Sequence, residues 1–118
     1  IMSRKVKSIS FNESARKAVE IMEKNGFSQI PVVKRGQCVG IITESGALSA
    51  IREKGSQFNL LKASDIMGEP LPVVNSHTVF PVLAGILNHE QAVLVAERGK
   101  IAGIITKSDL LKKALEKG

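Results

Sequence analysis

The sequence predicts a mixed α/β fold of the α+β kind: two tandem β-α-β-β-α units packed sheet to sheet about a pseudo-two-fold axis. Three observations predict it. The chain repeats itself, because a slide of 63 places residues 28–55 on 91–118 with twelve identities; these include Val32/Val95, Arg35/Arg98, Gly36/Gly99, Ser45/Ser108 and Gly40-Ile41-Ile42-Thr43 on Gly103-Ile104-Ile105-Thr106. Within each copy the apolar pattern changes from helical spacing to strand-like runs. The length of 118 residues, with 43% hydrophobic and 24% charged residues, suits one domain or two half-sized units sharing a core, and is too short for two independent domains.

The elements follow in order. Val6 and Ile9 in the first copy, and Val73 and Val74 in the second, mark a short opening strand. Ala15, Ala18, Val19 and Met22, then Val79, Val82, Leu83, Ile86 and Leu87, recur at helical spacing, with Pro81 near a helix start where its missing N–H costs little. A slide of 64 sets Ser14-Ala15 on Thr78-Val79, which makes the second copy one residue shorter before its next strand. Gln29–Val33 and Ala92–Ala96 are joined by turns at Arg35-Gly36 and Arg98-Gly99 to Cys38–Ile42 and Ile101–Ile105, giving hairpins of largely buried strands. Closing helices run over Ser45–Lys54 and Ser108–Lys117, with Ala47, Leu48 and Ile51, or Leu110, Leu111, Ala114 and Leu115, along one face. Between the copies, Gly55–Pro72 reads as a link with a short helix through Ser64–Met67. The first unit is assigned to residues 1–63 and the second to 64–118.

Composition narrows the function. No apolar run approaches the roughly 18 to 20 residues that span a bilayer, and the opening residues do not build a signal-peptide core; the expected location is cytoplasmic. One cysteine, Cys38, forms no internal disulfide, and Cys38, His77 and His89 have no zinc-ligand spacing, so no metal site is expected. Cys38 reads as a small buried strand residue, and the histidines as surface or capping residues. Three of the four Phe are expected in the core. No nucleophile with a base partner is evident, so no catalytic residues are assigned and an enzyme is not expected. The net charge of +6 is concentrated: residues 1–63 carry eleven Lys/Arg against five Asp/Glu, whereas 64–118 carry six against six. A localised positive surface favours an anionic partner.

The segment with chemical promise is Gly103-Ile104-Ile105-Thr106-Lys107-Ser108-Asp109, at a strand-to-helix junction. A helix N-terminus presents unpaired N–H groups that, with neighbouring hydroxyls, can hold a phosphate. A carboxylate one turn later can accept from a ribose diol, and Gly103 with Ile104 admits a flat base. The same Thr-x-x-Asp pattern is also a capping box in which Thr106 caps the helix and Asp109 reaches back to the backbone. The first copy, Thr43-Glu44-Ser45-Gly46, starts its helix without the acidic residue.

Taken together, Ile1-Met2 and Asp65-Ile66-Met67 as opening motifs, Ile30-Pro31-Val32-Val33, and two Gly-Ile-Ile-Thr junctions resemble a tandem pair of cystathionine-β-synthase (CBS) domains, a Bateman module, over almost the whole chain. The resemblance implies a non-catalytic regulatory module that senses nucleotide or energy state through AMP, ADP, ATP or S-adenosylmethionine, with no obligatory cofactor, and that pairs into homodimers and acts on a regulated partner protein. Carried over by position, Asp109 would hold the ribose, Thr106 and Ser108 the phosphate or ribose oxygens, and Ile104 one adenine face, with Lys107 in the same motif. Ser3, Val6 and Lys7, and Phe27-Ser28-Gln29, would complete that cleft. Arg4, Lys5 and Lys7 would either attract phosphate or form a solvated basic edge strand. The first-copy site at Thr43, Ser45 and Gly46 lacks a carboxylate and is degraded by this pattern.

Two alternatives stand beside this reading. A nucleic-acid binder agrees with the basic first half, although no aromatic stacking surface or basic helix supports it. A ligand-free dimerisation module would need only the architecture. No membrane partner is expected.

Overall fold

The computed structural model describes residues 4–117, which form two compact units. One, the N-terminal unit, comprises Lys7–Pro70; the other, the C-terminal unit, runs from Leu71 onward and takes in the opening strand β1 (Arg4–Lys5).

In the N-terminal unit, β2 (Ile9–Ser10) pairs parallel with β3 (Gln29–Lys34), which pairs antiparallel with β4 (Gln37–Thr43). Helix α1 (Ala15–Asn25) connects β2 to β3. The Ser14 hydroxyl accepts from the Lys17 N–H at 3.0 Å, and Gly26 ends the helix at φ 67°, where an L side chain would be strained. Its inward face, Ala15, Ala18 and Met22, is buried, and the latter two pack with Ile9, Ile30, Val32 and Ile42. Helix α2 (Glu44–Lys54) follows β4 directly.

The link is more structured than its composition implies. Gly55–Leu60 forms a 3-10 helix that buries Phe58, and a short α3 (Ala63–Ile66) is capped by Asp65, whose carboxylate accepts from the Lys62 N–H at 2.8 Å. Ala63 N–H donates to Glu13 C=O at 2.7 Å and Ser64 N–H to Phe11 C=O at 3.0 Å, fastening the link over the start of α1. Gly68 then makes a two-way bridge with Ile41, at 2.7 and 3.2 Å, along the outer edge of β4. Met67 lies against Gly40, so a Cβ there would collide with its thioether and come within 2.8 Å of Gly68 C=O. We expect Gly40→Ala to cost about 1–3 kcal/mol through this overpacking, read as a lower midpoint in thermal denaturation; an unchanged midpoint would show that Met67 yields freely.

The C-terminal unit repeats this plan with β5 (Val73–Asn75), α4 (Phe80–Leu87), β6 (Ala92–Glu97), β7 (Lys100–Thr106) and α5 (Lys107–Lys117). Its sheet order is β1-β7-β6-β5, with β1 antiparallel to β7. Leu83, Leu87, Val93, Val95, Ile105 and Leu110 form its core. Both hairpins turn with two consecutive positive-φ residues, Arg35-Gly36 at 52° and 80° and Arg98-Gly99 at 52° and 78°, the turn type that matches strand twist.

Three expectations need correction. The opening segment is two strands rather than one: Arg4–Lys5 joins β7 in one sheet and Ile9–Ser10 joins β3 in the other, with Val6 between them. The helices align one position further than the slide of 64, because Ser14 and Val79 are the residues that precede them, and the buried Ala18 and Met22 answer to Leu83 and Leu87. The second copy is therefore two residues shorter before its strand, a loss that falls at the end of α4, which has 8 residues against 11 in α1. Of the phenylalanines only Phe58 is fully buried; Phe11, Phe27 and Phe80 are half-buried, as is Cys38. The apolar stripes of the closing helices stand as read, but only Ala47 and Leu110 of them are buried, with Leu48 at 68%, Leu111 at 67% and Leu115 at 82% exposure.

Candidate functional site

The two Gly-Ile-Ile-Thr junctions form the same local structure for the same reason: a buried strand delivers a threonine whose extended backbone and hydroxyl start a helix. In the N-terminal unit, Thr43 (φ −107°, ψ 162°) accepts from the Gly46 N–H at 3.1 Å, and Ser45 Oγ lies 3.3 Å from the same hydroxyl. Gly46 adds no side chain to the cap. Phe27, Ser28 and Gln29 adjoin this junction: Gln29 pairs with Thr43, and Ser28 C=O accepts from the Glu44 N–H at 3.1 Å. Phe27 and Ser28 also line a hollow of about 540 Å³ between α1 and α2, with Val19, Met22, Leu48 and Ile51.

In the C-terminal unit the same start carries a carboxylate. Asp109 Oδ2 accepts from the Thr106 N–H at 2.9 Å and from the Thr106 hydroxyl at 3.0 Å, while the Asp109 N–H donates back to that hydroxyl at 3.3 Å. The reciprocal capping box is thus formed. The two bonds from Thr106 both fall on Oδ2, and a carboxylate offers about four acceptor sites over its two oxygens, so holding Thr106 does not by itself exhaust the acceptor capacity of Asp109.

Around this box, Ile104 is buried in β7, opposite Arg4 of β1 and Leu94 of β6. Lys107 and Ser108 are exposed in the first turn of α5, and Thr106 and Asp109 are half-buried. The opening strand therefore borders the strand that leads to Asp109, and it is the edge of its sheet, with Lys5 exposed. Val6 is half-buried and Lys7, exposed, begins the other unit. Ser3 lies outside the described residues. His77 and His89 are both exposed, and no group of three or more metal-ligating side chains occurs among the described residues. No helix among them is long and apolar enough to cross a membrane.

Comparison of the two junctions gives a stability test. We expect Thr43→Ala to remove a cap worth about 1 kcal/mol, and Thr106→Ala to cost more, since that hydroxyl also donates to Asp109; equal urea midpoints for the two variants would show that the carboxylate adds nothing to the cap.

Two copies of one β-α-β-β-α plan, each ending at a threonine-capped helix, agree with what known proteins show. The family model described as the CBS domain matches residues 1–53 and again 63–116. The chain belongs to the CBS-domain family. Similar solved structures share the fold of this CBS pair. A CBS domain-containing protein of unknown function from Bacillus anthracis superposes with a TM-score of 0.80 at 22% identity, covering 96% of this chain and 86% of its own. The CBS-pair protein CBSX2 from Arabidopsis thaliana gives 0.75 at 18% identity, covering 97% and 91%. The CBS domain of a CBS domain-containing membrane protein from Sphaerobacter thermophilus gives 0.76 at 23% identity, covering 92% and 81%.

Sequence reasoning missed three features. The 3-10 helix had only the apolar Phe58 and Leu60 as signals. The exposure of Leu48, Leu111 and Leu115 cannot be read from periodicity, which gives the stripe but not what covers it. The third is a hollow of about 390 Å³ lined by Val74, Ser76, Leu83, Val95 and Ile105, which the slide of the sequence does not announce, because only the strand registers set Ser76 at the place of Phe11.

Proposed function

We propose that this CBS pair is a non-catalytic regulatory module that binds an adenosine-containing ligand, AMP, ADP, ATP or S-adenosylmethionine, through the junction at Asp109. The observation that carries the reading is the difference between two otherwise equivalent helix starts. Thr43 caps α2 without a carboxylate, so the fold does not demand one at this position, yet Asp109 occupies it in the second copy. A ribose diol matches a half-buried carboxylate beside a helix N-terminus, and the Ser108 hydroxyl with the first N–H groups of α5 matches phosphate oxygens; the Thr106 N–H and hydroxyl, which here donate to Asp109, would join them once the capping box opens. Lys107 and the basic opening strand supply positive charge nearby. Thr43, Ser45 and Gly46 form the degraded counterpart, so one ligand per chain is expected. Isothermal titration with each of the four ligands tests this; absence of heat and of any thermal shift with all of them would reject it.

Self-association belongs to the same proposal. The hollow between α1 and α2 presents Leu48 and Ile51 with Glu23 and Glu44 at its rim, and a second hollow of about 320 Å³ between α4 and α5 presents Leu111 and Ala114 with Lys107. Exposed leucines on apolar hollows of opposite charge fit a second copy of this chain. A regulated partner protein would read the state of that assembly, since a ligand shifts an arrangement only by preferring it.

A further inference from the structure

The register of the two sheets sets one repeat against the other residue by residue. Ile9 pairs with Val32 and Val74 with Val95, so Phe11 answers to Ser76, and Lys34 answers to Glu97. In the N-terminal unit Phe11 packs against the core, and the Lys34 ammonium lies 4.8 Å from its ring centroid, a cation–π lid. In the C-terminal unit both parts are replaced, and a hollow of about 390 Å³ lies at the equivalent place. Its floor is Val74, Leu83, Val95 and Ile105. Its polar lining includes Ser76, Lys5 and Glu97, and neither charged group has an ion-pair partner among the described residues.

We propose that this hollow is a binding site for a small zwitterion with an aromatic side chain, a free aromatic amino acid, separate from the Asp109 junction. The first repeat carries its own occupant in the form of the Phe11 benzyl group, and the apolar floor of the second accepts the same ring from solution. Lys5 takes the carboxylate and Glu97 the ammonium, a pair of opposite charges that a plain hydrocarbon or a simple anion does not satisfy. None of Thr106, Ser108 and Asp109 lines the hollow.

The test is a titration of methyl-labelled protein with L-phenylalanine, followed by NMR at Val74, Leu83, Val95 and Ile105. Saturable shifts at these methyls are expected, with a dissociation constant on the order of millimolar. Phenylacetate and phenethylamine, which each lack one charge, should bind about tenfold more weakly, as should phenylalanine to Lys5→Ala or Glu97→Gln. Ser76→Phe should supply the missing plug, raise the melting temperature and abolish the shifts. Asp109→Ala should leave them intact, which separates this site from the adenosine reading. Absence of saturable shifts in the unaltered protein, or equal binding by the variants of the two exposed charges, overturns the proposal.

Discussion

Replacing Asp109 by alanine is expected to lower adenosine-ligand affinity by one to two decades while leaving the protein folded. The magnitude follows from losing charge-assisted hydrogen bonds to a ribose diol, about 1.5–3 kcal/mol. The capping role sets the control. Asp109 also holds the N–H and hydroxyl of Thr106, so the variant should lose about 1 kcal/mol of stability, an amount the first repeat already tolerates in having Gly46 at this place. An asparagine side chain would retain an acceptor without the charge, so Asp109→Asn should fall between the two in affinity. If Asp109→Ala shifts the melting temperature but leaves titration isotherms for all four ligands unchanged, the carboxylate serves the helix alone.

Introducing charge on the exposed leucines is expected to dissociate the proposed dimer. Leu48 and Leu111 are about two-thirds exposed, at 68% and 67%, yet each stands on an apolar hollow, so an acidic side chain there costs the folded unit little and an interface much. Truncating or charging a central anchor typically costs about 2 kcal/mol or more of association, roughly thirtyfold in dissociation constant. The double variant Leu48→Glu, Leu111→Glu should therefore sediment as a monomer at concentrations where the parent is a dimer. A parent that is monomeric throughout, or a variant that still dimerises, removes these faces as the contact.

Most of the fold was legible because the repeat supplies its own check. Gly40-Ile41-Ile42-Thr43 and Gly103-Ile104-Ile105-Thr106 mark both hairpins and both helix starts, and the Arg-Gly pairs mark both turns. The register of the first helices was less legible, since α4 shares no capping residue with α1: Ser14 is a true side-chain cap, whereas Val79 offers no hydroxyl and depends on Pro81 and the core contacts of Leu83 and Leu87. Periodicity placed Val6 and Ile9 in one strand because it cannot see which sheet a strand enters. At the site, Thr106-x-x-Asp109 announces the capping box from spacing alone, because that bond is local. The clefts implied by family resemblance depend on residues distant in sequence, and the hollow under Ser76 appears only when pairing registers equate that serine with Phe11.

The opening strand carries a consequence for how the gene can be divided. Arg4 and Lys5 zip onto Ile104 and Gly103, near the opposite terminus. A fragment beginning after the first repeat would leave β7 with a bare hydrogen-bonding rim, ready to recruit a foreign strand. Supplying the missing basic segment as a separate peptide should then restore solubility, making the C-terminal unit a natural split reporter completed by a single ribbon.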